Sequence, residues 1–357
     1  LLLSKGADAN FRDRNGDSPL SKACLKGYDH ISSLLLKNGA DVNLCNDIGH
    51  SPLFVACENG LDKTVQLLLE NGANVNLSDK DGVSPLFSTC KKGQENIVQL
   101  LLRYGADVNQ CDKNDNSPLQ RACFHNHINV VRLLMESGAD VNLCNAYGDS
   151  PLSRACQYGY ESIVQFLINN SANVNLCDNK RVSPLSKACL NKYDNIVKLL
   201  VKSGAEVNLC DLNEVSPLFN ATLCCTEETL SLLIQNGADV NKRDKNGDGP
   251  LHEACKKGCD GTLQILLNNN VEVNQCNKNG YSPLYIACSK GHTKIVQCLL
   301  RNGAEVNLCD ENKNSPLSKA CENGHDAIVQ LLLEYGADVN SCDTDEDLSH
   351  LYLSLIH

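Results

Sequence analysis

Ten prolines punctuate the chain: Pro19, Pro52, Pro85, Pro118, Pro151, Pro184, Pro217, Pro250, Pro283 and Pro316, each 33 residues after the last. A period of that length, held without insertion, means one supersecondary unit copied and stacked. Other positions keep the same register. Leucine follows every proline, from Leu20 to Leu317, and leucine recurs 16 residues past each, from Leu35 to Leu332. Val-Asn sits 23 and 24 past each, from Val42-Asn43 to Val339-Asn340.

The unit has a physical reading. Serine before proline caps a helix, and proline suits the first helical position, where its missing N–H would be unpaired anyway. Leucine, alanine and cysteine at one, four and five past the proline fall on one helical face. Glycine eight past the proline, as at Gly27, Gly60, Gly93 and Gly324, ends this short helix. A second apolar helix follows, for example Ala327–Leu333, and glycine stops it at Gly39, Gly72 and Gly336. A polar turn leads to the next proline. One such hairpin cannot bury its apolar face, so neighbours complete the core.

The stretch Gly16–Asn43, GDSPLSKACLKGYDHISSLLLKNGADVN, resembles the ankyrin repeat, with its Thr-Pro-Leu-His, Gly-His turn and Gly-Ala-Asp-Val-Asn. The resemblance runs from Leu1 to Asp343. It implies an all-α repeat solenoid in which each helix–turn–helix carries a β-hairpin finger, stacked as a curved array. The expected domain is 1–347, with a partial repeat at 1–11, ten full repeats over about 12–341, and a partial or out-of-register repeat at 342–357. No proline stands at 349, so the tail reads as a truncated or frame-shifted eleventh unit. The absence of an initiator methionine reads as a fragment of a longer protein. The histidine two past the proline survives only as His252, which leaves the family's histidine network in doubt. Lys192, Asn126 and Cys225 replace the first glycine, and Cys225 with Thr222 marks the seventh unit as the weakest link.

The chain has 21 cysteines, an odd number that cannot pair completely. Nine lie five past a proline, among them Cys57 and Cys321, where a buried small hydrophobe is expected. Eight lie seven before a proline, such as Cys45 and Cys309, on the finger. Stacked units are about 10 Å apart, and a disulfide needs Cα atoms within about 7 Å, so equivalent finger cysteines are expected to stay unbridged. No Cys-x-x-Cys occurs, and no metal or cofactor is expected. Free thiols in number point to the cytosol or nucleus.

No P-loop, H-E-x-x-H or G-x-S-x-G occurs, and the histidines are scattered, so no enzyme is expected within these residues. Net charge is −11, against non-specific binding of nucleic acid or an anionic membrane. No apolar run reaches the roughly 20 residues of a membrane span.

Resemblance implies a monomeric protein-binding scaffold or adaptor acting through its concave face, with no small-molecule substrate. Alternatively it is the recognition arm of a larger enzyme or channel. It also implies that some Val-Asn asparagines are targets for an asparaginyl hydroxylase. The residues that vary locate the partner. Three past the proline, facing away from the core on a helical wheel, stand Lys22, Val55, Ser88, Arg121, Arg154, Lys187, Asn220, Glu253, Ile286 and Lys319. Arg121, Arg154 and Lys187 form a basic stripe that either solvates the face or meets an acidic, extended segment. Two past the proline, Phe54, Phe87, Phe219 and Tyr285 either pack between units or join Val55, Ile286 and the finger residues Ile48 and Val83 as apolar anchors.

Overall fold

A computed structural model describes residues 8–224 and 226–339. The terminal segments, including the 342–357 expectation, and Cys225 lie outside the described residues. Two compact units divide the chain, Leu1–Asn179 and Lys180–His357. The first holds ten helices, α1 (Pro19–Leu25) to α10 (Glu161–Asn169); the second holds ten more, α11 (Pro184–Leu190) to α20 (Asp326–Glu334). Odd-numbered helices begin at the periodic prolines, and even-numbered ones are the second helices of each hairpin.

Helix starts follow the capping chemistry. Each preceding serine turns its hydroxyl onto the N–H three residues on, as Ser51 does for Phe54 at 3.1 Å. In the eighth repeat Gly249 replaces serine, and the His252 ring accepts the Gly249 N–H through Nδ1 at 3.1 Å. Gln120 reaches back in the same way to the Ser117 N–H at 3.0 Å.

Core positions fall where the period put them. In the first unit Leu53, Ala56, Cys57, Val65 and Leu68 are sealed from solvent; in the second, Leu185, Ala188, Cys189, Val197 and Leu200 are. First helices pack on first helices, α1 on α3 (Pro52–Glu58) and so on to α9 (Pro151–Tyr158), and likewise from α11 to α19 (Pro316–Glu322).

The fingers differ from expectation. Among the described residues there is no β-strand. Each finger is a turn around an aspartate or asparagine six before the proline. Asp112 Oδ1, for example, accepts the N–H groups of Asn114 and Asn116, both at 2.9 Å. One backbone bond then joins each finger to the one before, such as Ala146 N–H to Asn114 O at 2.9 Å and Lys245 N–H to Asn213 O at 2.9 Å. A single bond per finger makes no ladder, so the hairpin never becomes sheet. The close approach explains the glycine three before most prolines: at Gly49 (φ 91°) a Cβ would sit 2.8 Å from Lys80 N. Asp115, Arg181, Glu214 and Lys313 hold the same left-handed turn without glycine.

The Val-Asn asparagines clasp the following repeat. Asn76 Oδ1 accepts the Asp107 N–H at 2.8 Å while its Nδ2 donates to Gly105 O at 3.3 Å. Asn208 does the same with Asp239 and Gly237, at 2.8 and 2.9 Å.

Candidate functional site

Positions two past the prolines are buried, except the half-buried Ser318. Phe54 and Phe87 are each 3% exposed, and Phe219 and Tyr285 are buried as well. This corrects their candidacy as docking anchors. The side chain lies in the seam between successive first helices, so a partner cannot reach the ring. Tyr285 shows the consequence: its hydroxyl donates to Asp310 Oδ2 at 3.1 Å, and burial with that carboxylate raises its pKa. Phe54 packs on His50, ring centroids 4.1 Å apart.

Three past the proline the picture is mixed. Val55 and Lys187 are buried, Ile286 is half-buried, and Lys22 is exposed. A residue at this angle can reach back over the preceding first helix, as Arg121 and Arg154 do over Phe87 and Phe124, which a lone-helix wheel does not show. Arg121 and Arg154 keep partial access, with 26% and 22% of their side chains exposed. Lys187 belongs to the second unit. Ile48 at a finger tip is 55% exposed, while Val83 is half-buried.

Arg121 and Arg154 are brought together. Both line a pocket of about 110 Å³ between α7 (Pro118–Phe124), α9 and their fingers, with Asn114, Asn116, Gln120, Phe124 and Tyr147. Each guanidinium is held twice. Arg121 lies over the Phe87 ring, 4.8 Å from its centroid, with Nη2 3.5 Å from Asp112 Oδ2. Arg154 lies over Phe124 at 5.8 Å, with Nη2 3.3 Å from Asp149 Oδ2. Asp112 and Asp149 are nearly buried. Gln120 is committed to the Ser117 N–H and the Asp149 carbonyl, and Asn116 to Asp112 and Asn145. Beside the pocket Phe124 meets Tyr158 edge-on at 5.0 Å, and Tyr158 stacks on Tyr160 at 6.0 Å.

Sequence reasoning missed Tyr147, Phe124, Tyr158 and Tyr160. A signal existed. Aromatics are 4% of the chain, yet these four fall in two consecutive repeats, and Tyr147 tops a finger at 63% exposure.

Among the described residues the first-helix cysteines are shielded rather than reactive. Cys57, Cys90, Cys123, Cys189, Cys255 and Cys288 are sealed in the core, and burial drives each thiol pKa up. Cys321 is the exception in that row, half-buried rather than sealed. Finger thiols donate to the carbonyl two residues back, as Cys45 does to Asn43 at 3.5 Å and Cys111 to Asn109 at 3.4 Å. Cys309 and Cys259 stand apart from the free thiols as disulfide-bonded. No group of three or more metal-ligating side chains occurs among the described residues, and no described helix is long and apolar enough to cross a membrane.

A family model described as "Ankyrin repeats (3 copies)" matches residues 1–79, 71–145, 137–211, 185–275 and 251–343. No curated protein matches the chain. Such repeats are generally protein–protein interaction modules and typically non-catalytic. With twenty helices in register among the described residues and family matches spanning 1–343, the chain belongs to the ankyrin repeat family.

Proposed function

We propose that the chain is a non-catalytic scaffold or adaptor holding an extended, acidic segment of a partner protein. The segment lies on the face lined by fingers and first helices, the concave face expected of ankyrin repeats. One observation carries this reading. The invariant cap serines, core leucines and clasping asparagines are consumed by the repeat itself, whereas the fourth and fifth repeats gather two guanidiniums and exposed tyrosine at one pocket. Tyrosine and arginine are the residues that dominate binding hot spots. The binding form is a monomer, and its compartment the cytosol or nucleus. The free thiols at Cys45, Cys111 and Cys144 support that compartment, while the bonded Cys259 and Cys309 weigh the other way.

Site-specific photo-crosslinking tests the face. A crosslinker at Tyr147, Ile48 or Tyr158 should capture the partner, and one at the exposed second-helix residue Gln66 should not. Capture only through Gln66 would refute the reading.

A further inference from the structure

We infer that the pocket between α7 and α9 receives one carboxylate side chain, an aspartate or glutamate of the bound segment, between Arg121 and Arg154; this rests on the binding function proposed above. The volume, about 110 Å³, far exceeds the roughly 10–15 Å³ that one water needs. It therefore admits a carboxylate group.

The donors are present and pre-positioned. A guanidinium carries five N–H donors in a rigid fork. Each arginine commits a single nitrogen, Nη2, to its aspartate, and at 3.5 and 3.3 Å neither contact is short. Arg121 Nε is buried and has no hydrogen-bond partner. A buried, charged N–H left in that state is costly. The rings of Phe87 and Phe124 fix the two guanidinium planes before anything binds, which lowers the ordering cost of association. Gln120 and Asn116 are already committed, so specificity falls to the arginines. Tyr147 at the rim offers an apolar wall to the ligand's methylene groups.

Charge selects a carboxylate over a phosphate. Two guanidiniums face two aspartates, Asp112 and Asp149, so the pocket is close to neutral. One added negative charge faces two cations and two screened anions. A phosphomonoester brings nearly twice that charge against the same aspartates. A carboxylate also matches the fork of one guanidinium with two oxygens.

The test uses the full chain and a displayed library of random twelve-residue peptides. Peptides selected on the chain should share one acidic position. Replacing that glutamate by glutamine should weaken binding about tenfold, the scale of a lost charge-assisted hydrogen bond. The same replacement should cost less than about twofold on Arg121→Gln and Arg154→Gln chains that retain the wild-type helical circular dichroism. The glutamate-to-glutamine comparison on the unaltered chain needs no variant to fold. Phosphoserine at that position should bind more weakly than glutamate; tighter binding would overturn the carboxylate in favour of phosphate. Peptides that crosslink at Tyr147 but tolerate loss of every acidic residue would overturn the pocket and leave the binding face standing. Peptides that crosslink only through the second helices would overturn both.

Discussion

Phe87→Ala separates the two roles open to the aromatic positions. Phe87 is 3% exposed on α5 (Pro85–Lys92), and the Arg121 guanidinium rests 4.8 Å above its ring. Truncating a buried phenylalanine costs about 3–5 kcal/mol from lost transfer energy and the cavity left behind. Losing the cation–π contact adds about 0.5–1 kcal/mol. An exposed docking residue would change stability by no more than about 0.5 kcal/mol. A stack of repeats need not unfold in one step, so a global melt would blur this difference. Amide hydrogen exchange read by peptide mass spectrometry resolves it, because opening is local. With about 1.4 kcal/mol per decade, a cost near 4 kcal/mol speeds exchange in α5 and α7 by roughly three orders of magnitude. Peptides of α1, two repeats away, should change far less. Exchange in α5 and α7 altered by less than about threefold would mean the ring is not sealed in solution, and the docking role for Phe54, Phe87, Phe219 and Tyr285 would return.

Two further outcomes are expected. Lys192 holds φ 62° where Gly27, Gly60 and Gly159 hold φ 67°, 69° and 79°; relief of left-handed strain of about 1–2 kcal/mol, less the flexibility glycine adds to the unfolded chain, should let Lys192→Gly protect α11 and α12 (Asp194–Lys202) by about 0.5–1 kcal/mol in the same exchange assay, and no gain would mean the lysine side chain stabilises the turn. The Cys24 thiol is pushed by burial from 9.0 up to about 12, so the folded chain holds its proton where the unfolded chain loses it; that stability is complete below pH 9 and lost as pH climbs toward 12, the urea midpoint should fall across that window, and Cys24→Ala should make the fall shallower.

The fold was legible because every constraint repeats. Proline, the cap serine, the core leucines and the Val-Asn pair each satisfy a local need, and ten copies remove the ambiguity of one. What escaped is what arises between copies. The asparagine clasp spans 31 residues, from Asn76 Oδ1 to the Asp107 N–H, and nothing inside one unit announces it. The hairpin finger was implied by resemblance alone, and its turn spends the side chain of Asp112 on the backbone that a strand would have left for a partner. Position three past the proline faces outward on an isolated helix, but in the stack Val55 is buried. A helical wheel carries no neighbour, so it overstated the open face. Arg121 and Arg154 were found because their charge opposed that of the whole chain. Tyr147 was passed over because its signal lies in the tip of a turn, where no periodic rule applies.

Counting cations along the stripe also overstates its charge. In the first repeat Lys22 pairs with Asp13, the aspartate that organises its own finger. In the fourth, Arg121 pairs with Asp112 in the same role. In the fifth the organising residue is Asn145, which has no charge to give, and Arg154 turns instead to Asp149, four residues on. The scaffold thus supplies a carboxylate for each of these three cations by one route or the other, whichever residue the finger uses. Long-range attraction for an acidic partner is largely cancelled at the source. What survives is short-range and geometric: forked donors held against aromatic rings, with an unpaired Nε, at a pocket the size of one small group. On the proposed binding face, recognition would therefore depend on one well-placed acid in the partner more than on its total charge, since opposed charges that close offset each other at a distance and only directional contacts remain.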